Sequence, residues 1–576
     1  MAHLPSSSAS SRTATETAAQ PDIEAQKKPT QKKRASHWEL VFDQTHVTPE
    51  VLSWPYKGSG TEGDPYVVEY IDGDRRNPML FPQWKKWMIT ILVAIATLAV
   101  AFVSSAYSGG IEDILSTFKI STEVATLGIS LFVLGFAIGP LLWAPLSELY
   151  GRQVLFFGTY LALTAFNAGA AGSQNIETLI ILRFLAGAFG SSPLTNAGGV
   201  IADMFPASER GLAMSVFAAA PFLGPTIGPI VGGFVGETEG WRWVEGLMAI
   251  FTGVIWIICS FTIPETYSPV ILSRRATKLS KMTGKVYKSS NEVSHGSKTI
   301  GAEFKTALSR PWILLFREPI VLMLSIYMAI IYGTLYLMFG AFPIVYQQQR
   351  GWSAGIGGLS FIGVAVGMIV AVIYSIWDNK RYIRVEAKYN GNAPPEARLP
   401  PALIGSVALP IGLFWFAWTN YPSIHWSVSI IGTAPFGFGM VLVFLSIMNY
   451  LIDSYVIYAA SVLAANSVLR SLFGAAFPLF TTYMYQNLGI HWASSIPAFL
   501  ALACVPFPFL FYKYGKGIRL KCKYAAEAAM FLEKVRGGQA SGSQQRQEGG
   551  SAHEEGQEKK RQEESTGEAD DQSKKV

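Results

Sequence analysis

The sequence has little charge and few cysteines. Only 15% of its 576 residues are Asp, Glu, Lys or Arg, whereas roughly 25% are charged in typical soluble domains. The cysteines are Cys259, Cys504 and Cys522. Two of them lie inside apolar runs and none is grouped at metal-ligand spacing, so the sequence favours neither a disulfide framework nor a zinc site. The net charge of +6 comes from residues in loops between apolar runs, which argues against nucleic-acid binding.

Motifs of several enzyme classes are also missing. The sequence has no G-x-x-x-x-G-K-[ST] phosphate-binding loop, so nothing indicates ATP hydrolysis. The seven histidines are scattered and form no cluster of the kind that a membrane acyltransferase needs. No signal peptide is visible, because the first apolar run follows a long polar segment. We therefore expect no enzymatic activity, no metal and no cofactor.

Half of the residues are apolar, and they occur in runs of about 20, which is the length that crosses a bilayer as a helix. The runs fall at roughly 87–107, 125–145, 154–172, 178–199, 212–235, 245–263, 320–340, 357–377, 401–419, 428–451, 458–483 and 493–512. They form two sets of six. The predicted fold class is an all-α membrane protein with twelve transmembrane helices in two six-helix bundles.

The division of the chain follows from these runs. We expect a largely disordered N-terminal region at 1–80, a first bundle at 81–263, a central loop at 264–319, a second bundle at 320–515 and a disordered tail at 516–576. The loops on one side hold about 17 Lys and Arg, and those on the other side about three. The positive-inside rule then places both termini and the central loop in the cytosol.

The central loop contains PVILSRRATKLSKM at 269–282. This stretch is consistent with a short amphipathic helix on the inner leaflet, and a solvated linker explains it equally well. The segment from Asp64 towards Trp87 is more apolar than the residues before it, so it can lie along the membrane face.

The fifth run, FAAAPFLGPTIGPIVGGFV at 217–235, is apolar but full of helix breakers. Neighbouring helices in lipid can satisfy the backbone groups that proline frees, and small residues let another backbone come close. The small residues recur every four positions and so form one ridge of the helix. The ridge comprises Pro221, Gly224, Pro225, Gly228, Pro229, Gly232 and Gly233. Packing alone explains such a ridge, but we favour a kinked helix at an interface that slides or rocks.

Two charged features accompany this ridge. At the end of the second run, GPLLWAPLSELYGRQ places Glu148 just before Gly151 and Arg152. A charge cluster there can hold one conformation closed, although a helix end with a flanking arginine is an equal explanation. Arg183 lies inside the fourth run, where an ionisable group should face the bundle interior or a wet cavity. Snorkelling from the end of the run is the simpler alternative.

In their order and spacing, these three patterns resemble the major facilitator superfamily, in particular the fungal members of its twelve-span drug:proton antiporter branch. The resemblance covers nearly all of 80–515, and PETYSPVIL, PEARLPPALIG and YLIDSYVIYAASVLAANSVLRSLFGAAFPLF extend it. The loop motif fits in part, because Glu148, Leu149 and Gln153 replace its usual Asp and basic residues. The resemblance implies proton coupling through Arg183, and the 217–235 stretch matches the motif that distinguishes exporters from sugar uptake carriers.

Carboxylates are scarce in the runs, although an antiporter needs a group that exchanges a proton. The candidates lie near the ends of runs, and the sequence does not choose among Glu148, Asp203 and Glu245. For the substrate cavity, which belongs near the midplane between the halves, we select Tyr332, Tyr336, Phe339, Asn466 and Arg470. Packing or lipid contact is the simpler explanation for any single aromatic residue among them.

The leading hypothesis is a secondary transporter that exports drugs, toxins or secondary metabolites by proton antiport. Its partners are then small amphipathic molecules, protons and the lipid bilayer, and we expect a monomer in the plasma membrane rather than the vacuolar membrane. A nutrient or polyamine carrier of the same fold is the alternative, and the scarcity of acidic residues disfavours a polycation. A membrane enzyme and a transporter-like receptor have less support.

Overall fold

The computed structural model describes residues 36–296, 300–389, 391 and 393–533. These residues contain twelve helices that are long and apolar enough to cross a membrane, and each overlaps one of the twelve predicted runs. The predicted fold class, an all-α membrane protein with twelve spans, is therefore confirmed. The disorder expected at 1–35 and 534–576 lies outside the described residues, whereas residues 516–533, also expected to be disordered, are mostly helical.

The first six spans follow one another with short connections. An N-terminal segment precedes them with helices α1 (His37–Phe42) and α2 (Pro49–Leu52) and strand β1 (Tyr66–Val68). The spans are α3 (Gln83–Ala106) with its short continuation α4 (Ile111–Phe118), α5 (Thr122–Tyr150), α6 (Arg152–Ala171), α7 (Ile176–Met204), α8 (Ala207–Glu239) and α9 (Trp241–Thr262). Gly151 and Gly240 each join two helices with φ values of 94° and 84°, a conformation that glycine adopts without steric penalty.

A connection of four short elements leads to the second set of spans. It contains α10 (Ser268–Thr283), strand β2 (Tyr287–Ser289), α11 (Ser290–His295) and α12 (Ile300–Arg317). The second set comprises α13 (Pro319–Phe342), α14 (Ala354–Gly358) with α15 (Ile362–Lys388), α16 (Pro400–Thr419), α17 (Trp426–Gly432) with α18 (Ala434–Ser454), α19 (Ala459–Leu488), and α20 (Ile490–Cys504) with α21 (Pro506–Lys521).

The two sets of spans meet through a small number of helices. Within the first set α3 packs along α8 and α5 along α7, and within the second α13 packs along α19. Between the sets, α5 packs against α19, and α8 packs against α14 and α15. We call the end of the bundle that carries the N-terminal segment and α10 the loop face, and the opposite end the far face.

The N-terminal segment folds onto the connection between the halves. β1 and β2 pair in parallel, with Tyr66 opposite Tyr287 and Val68 opposite Ser289. The apolar face of α10 is buried against this segment, in a cluster formed by Val51, Val68, Ile71, Ala276 and Leu279. The amphipathic helix at 269–282 is thus present, but protein rather than the leaflet covers this face.

Buried charged side chains also stabilise the contact between the N-terminal segment and the connection. The Arg275 guanidinium lies 2.5 Å from the Asp74 carboxylate, and both side chains are almost fully buried. Arg76 is also buried and donates to the backbone carbonyl of Glu265 at 3.0 Å. Residues 36–80 are therefore folded, where the sequence suggested disorder, because partners about 200 residues away cover their apolar and charged groups.

Replacing Asp74 with Ala should release the N-terminal segment from α10. Removing one member of a buried ion pair leaves the other charge unpaired, which costs about 3–5 kcal/mol. Limited proteolysis of the purified protein should then cut the segment faster than in the wild type. The exposed neighbour Asp72 provides the matched control, and equal protection of Asp74→Ala and Asp72→Ala would show that the ion pair does not hold the segment.

Candidate functional site

An ion pair is buried among the first six spans. Arg183 on α7 and Glu245 on α9 approach to 3.4 Å, with side chains 0% and 1% exposed. Both carboxylate oxygens of Glu245 are buried and accept no hydrogen bond in the described structure. The pair is thus a charge contact with loose geometry, in which the carboxylate depends on a single cation.

Arg183 has many other partners. Its Nε donates to the carbonyl of Gly128 at 3.2 Å, and Nη2 donates to the carbonyl of Val103 at 3.1 Å. The guanidinium also lies between the rings of Tyr107 and Phe132, 4.7 Å from each centroid. Arg183 therefore faces the interior, as its position in the fourth run predicts, and it does not snorkel to a membrane surface.

Glu245 is the partner of Arg183 and one of the three carboxylates among which the sequence did not choose. It lies at the start of the sixth span and so resembles an ordinary helix-end carboxylate. In the structure α9 begins directly after Gly240 and runs beside α7, which brings Glu245 to Arg183 one turn into the helix. One sequence signal could have identified Glu245. A buried arginine needs a counter-ion, and the apolar runs contain few carboxylates that could serve as one.

A second charged cluster lies at the loop face. Arg152 Nε is 3.7 Å from the carboxylate of Asp203, and its Nη1 donates to Asn196 at 3.3 Å. Glu265 accepts the backbone N–H groups of Arg152 and Gln153 at 3.0 and 3.1 Å. The cluster links the ends of α5, α6 and α7 to the beginning of the connection between the halves.

The residues that the sequence predicted for this charged cluster do not all take part in its ion pair. The ion pair with Arg152 is made by Asp203, whereas Glu148 is half-buried on the last turn of α5. Gly151 lies against the Glu265 carboxylate, at a distance that leaves no room for a Cβ atom. Glu265 was missed, since its four backbone donors become visible only when the chain folds.

The glycine ridge of α8 lies against two different neighbours. A Cβ atom at Gly224 would come within 2.6 Å of the Leu98 carbonyl of α3, and one at Gly232 would overlap the carbonyl of Ala106. On the other side, a Cβ atom at Gly233 would meet the carbonyl of Ala354 at 2.5 Å. The ridge thus packs inside the first bundle and also touches the second, and α8 remains one helix through Pro221, Pro225 and Pro229.

Four of the five predicted cavity residues lie together where the halves meet. The ring centroids of Tyr332 and Tyr336 are 4.9 Å apart with the rings tilted, and those of Tyr336 and Phe339 are 5.1 Å apart. The Arg470 guanidinium lies 4.7 Å from the centroid of the Tyr332 ring. These aromatic side chains are buried in the protein and do not face lipid. Asn466 lies one turn from Arg470, and its amide group contacts Ser325 and Met328 of α13, both at 3.2 Å.

Contacts across the halves complete this cluster. The Ser104 hydroxyl of α3 and the Tyr336 hydroxyl of α13 are 2.7 Å apart, and the rings of Phe222 on α8 and Phe444 on α18 are 4.4 Å apart. The Ser104 carbonyl also accepts from Arg183 at 3.5 Å. Ser104 therefore contacts both the buried ion pair and the aromatic cluster.

Comparisons with known proteins agree with this geometry. The Major Facilitator Superfamily is the family that matches, over residues 93–478. The chain is 71% identical to the MFS-type efflux pump MFS2 of Trichophyton rubrum, over 87% of this chain and 84% of that protein. It is 69% identical to the major facilitator superfamily multidrug transporter mdrA of Aspergillus fumigatus, over 87% and 82%. The xylose transporter XylE from E. coli, in a partially occluded inward-open conformation, has the same fold at 16% identity, with a TM-score of 0.55 and coverage of 75% and 98%.

Replacing Gly232 with Ala should destabilise the protein, because the added methyl group has to displace the backbone of α3. Overpacking of this kind typically costs about 1–3 kcal/mol. Thermal unfolding of the purified protein in detergent measures the effect. Gly158→Ala is the matched control, since Gly158 lies in a helix with no atom near its Cβ position. A melting temperature equal to that of the control would contradict close backbone packing at the ridge.

Proposed function

The chain belongs to the major facilitator superfamily, and on that premise we propose that it exports drugs, toxins or secondary metabolites by proton antiport. The observation that carries the proposal is the buried Arg183–Glu245 pair, which is joined through Ser104 to an aromatic cluster between the two halves. The names of its relatives, an efflux pump and a multidrug transporter, support export. As a secondary active transporter the protein is not an enzyme.

We propose that Glu245 exchanges the proton, rather than Glu265 or Asp203. Glu265 accepts the N–H groups of Arg152, Gln153, Thr266 and Tyr267, so backbone donors already occupy its carboxylate oxygens. Asp203 has Arg152 and the Thr266 hydroxyl near it. Glu245 accepts no hydrogen bond in the described structure, so burial opposes its charge and only Arg183 supports it.

Protonation of Glu245 would change the charge balance around Arg183. The neutral carboxyl group no longer attracts the guanidinium, which then depends on the carbonyls of Gly128, Val103 and Ser104. Two of those carbonyls belong to α3, whose Ser104 hydroxyl contacts Tyr336 of the other half. This arrangement supports a route by which the proton alters the contact between the halves.

Alternating access would proceed by rocking of one six-helix bundle against the other. Towards the far face, the backbone of Gly233 approaches Ala354 and that of Pro229 approaches Gly358. At the loop face, Arg152, Asp203 and Glu265 connect the first bundle to α10. We infer that these two regions close and open in alternation, and that the glycine ridge permits α8 to slide against α3.

The nutrient or polyamine carrier remains the alternative within this family. A polyamine site needs carboxylates between the halves, whereas the charged side chain in the described aromatic cluster is Arg470. The observed chemistry therefore favours the exporter and disfavours a polycationic substrate.

Glu245→Gln should abolish proton coupling without unfolding the protein, because glutamine keeps the shape of the side chain but cannot exchange a proton. An imposed pH gradient should drive accumulation of a fluorescent dye in vesicles that contain the wild type. Accumulation with Glu245→Gln should fall to the level of protein-free vesicles, while dye binding persists. Glu239→Gln, an exposed change at the end of α8, is the control. Gradient-driven transport by Glu245→Gln would refute the assignment.

We also propose that the protein lies in the plasma membrane, as its resemblance to the exporter branch implies. Both termini would face the cytosol, since the loops on their side hold about 17 basic residues against about three. An epitope tag at the C-terminus should react with antibody only after cells are permeabilised, and a tag inserted at Gln174, between α6 and α7, should react on intact cells. The reverse pattern would overturn the orientation, and signal from the vacuolar membrane alone would overturn the location.

A further inference from the structure

Arg470 is a partly buried arginine at the boundary between the halves. It projects from α19, and its guanidinium lies 4.7 Å from the ring of Tyr332 and 5.1 Å from that of Phe444. Phe444 in turn contacts Phe222 of the first half. Arg470 thus lies within the aromatic cluster that bridges α13, α18 and α8.

Arg470 and Arg183 both lie against aromatic rings, but they differ in their charged and hydrogen-bonding partners. Each guanidinium lies between two aromatic rings at about the same distance. Arg183 also has a carboxylate and backbone carbonyls as partners. In the described part of the chain Arg470 has no ion pair, and its Nε is buried without a hydrogen-bond acceptor. The residue as a whole remains partly exposed.

This difference points to a missing counter-ion. Taking a guanidinium out of water is expensive, and contacts with two ring faces recover only part of that free energy. The neighbouring tyrosines Tyr332 and Tyr336, whose hydroxyls lie 3.3 Å apart, carry no charge at neutral pH. An anion that enters from the partly exposed side would supply the charge that the protein lacks.

We propose that Arg470 binds the anionic group of the exported molecule, and that the substrates are therefore aromatic organic acids bearing a carboxylate. The proposal rests on the proposed function and names its substrate class. The planar fork of arginine matches a carboxylate in a two-point contact. The rings of Tyr332, Phe444 and Phe222 form apolar walls for the rest of the molecule, and the paired tyrosine hydroxyls lie beside the charge.

Two xanthene dyes of similar size but opposite charge test the proposal. Fluorescein carries a carboxylate, whereas rhodamine 6G is an ester with a cationic ring system. Fluorescence anisotropy with the purified full-length protein would measure binding of each dye to the wild type, Arg470→Gln and Arg470→Lys. Arg317→Gln, an exposed change at the end of α12, is the charge-matched control.

We expect fluorescein to bind the wild type and the control equally. It should bind Arg470→Gln at least about tenfold more weakly, since a hydrogen-bonded charge contact is lost, and Arg470→Lys should lie between the two. Rhodamine 6G should bind Arg470→Gln no more weakly than the wild type, which also shows that the variant is folded. Failure of fluorescein to bind the wild type, or equal fluorescein binding by Arg470→Gln, would overturn the proposal.

The same proteins in vesicles separate this proposal from the proposed function. If neither dye moves under a pH gradient while fluorescein binding still depends on Arg470, the antiport function fails and the anion site stands. If rhodamine 6G is exported and fluorescein neither binds nor moves, export stands and the acid specificity is wrong.

Discussion

The free energy of burying charge governs the interior of this protein. An ion moved into a low-dielectric interior loses several kcal/mol of hydration even after relaxation, and an aromatic ring facing a cation returns about 0.5–2 kcal/mol. Arg183 therefore needs Glu245 and several carbonyls in addition to two rings. The charged side chains that remain inside despite the cost of burial are concentrated at the Arg183–Glu245 pair, at Arg470 and at the loop face. At these places a transporter can respond to a proton or a solute.

Close backbone contact is the second constraint, and it permits motion as well as stability. Gly224 and Gly232 of α8 lie directly on the backbone of α3, so no long side chains interlock there. Gly233 makes the same kind of contact with the second half. A smooth interface of this kind offers less resistance to sliding than interdigitated side chains do. The buried contact between Asp74 and Arg275 instead ties the N-terminal segment to α10.

The sequence predicts those features of the fold and the site that depend on a local pattern of residues. Twelve apolar runs predict twelve spans, and one arginine inside a run indicates an inward-facing charge. It offers Glu245 only as one of three candidates, because the position of that residue near the end of a run resembles a helix terminus until α7 and α9 are placed side by side. The pairing of β1 with β2 is likewise invisible, since more than 200 residues separate the two three-residue strands. Partners that are distant in sequence lie beyond any local pattern.

Ser104 joins the two charged sites into one system. Its carbonyl accepts from Arg183 while its hydroxyl contacts Tyr336, whose neighbour Tyr332 faces Arg470. The connection thus runs from the first half to the second through side chains in contact. In the mechanism that we propose, a proton at Glu245 alters the charge beside one arginine, and an organic anion alters the charge beside the other. Both arginines contact residues at the same junction between α3 and α13, so either event would change the free energy with which the halves hold together. This shared junction is the physical basis that we propose for coupling export to the proton gradient.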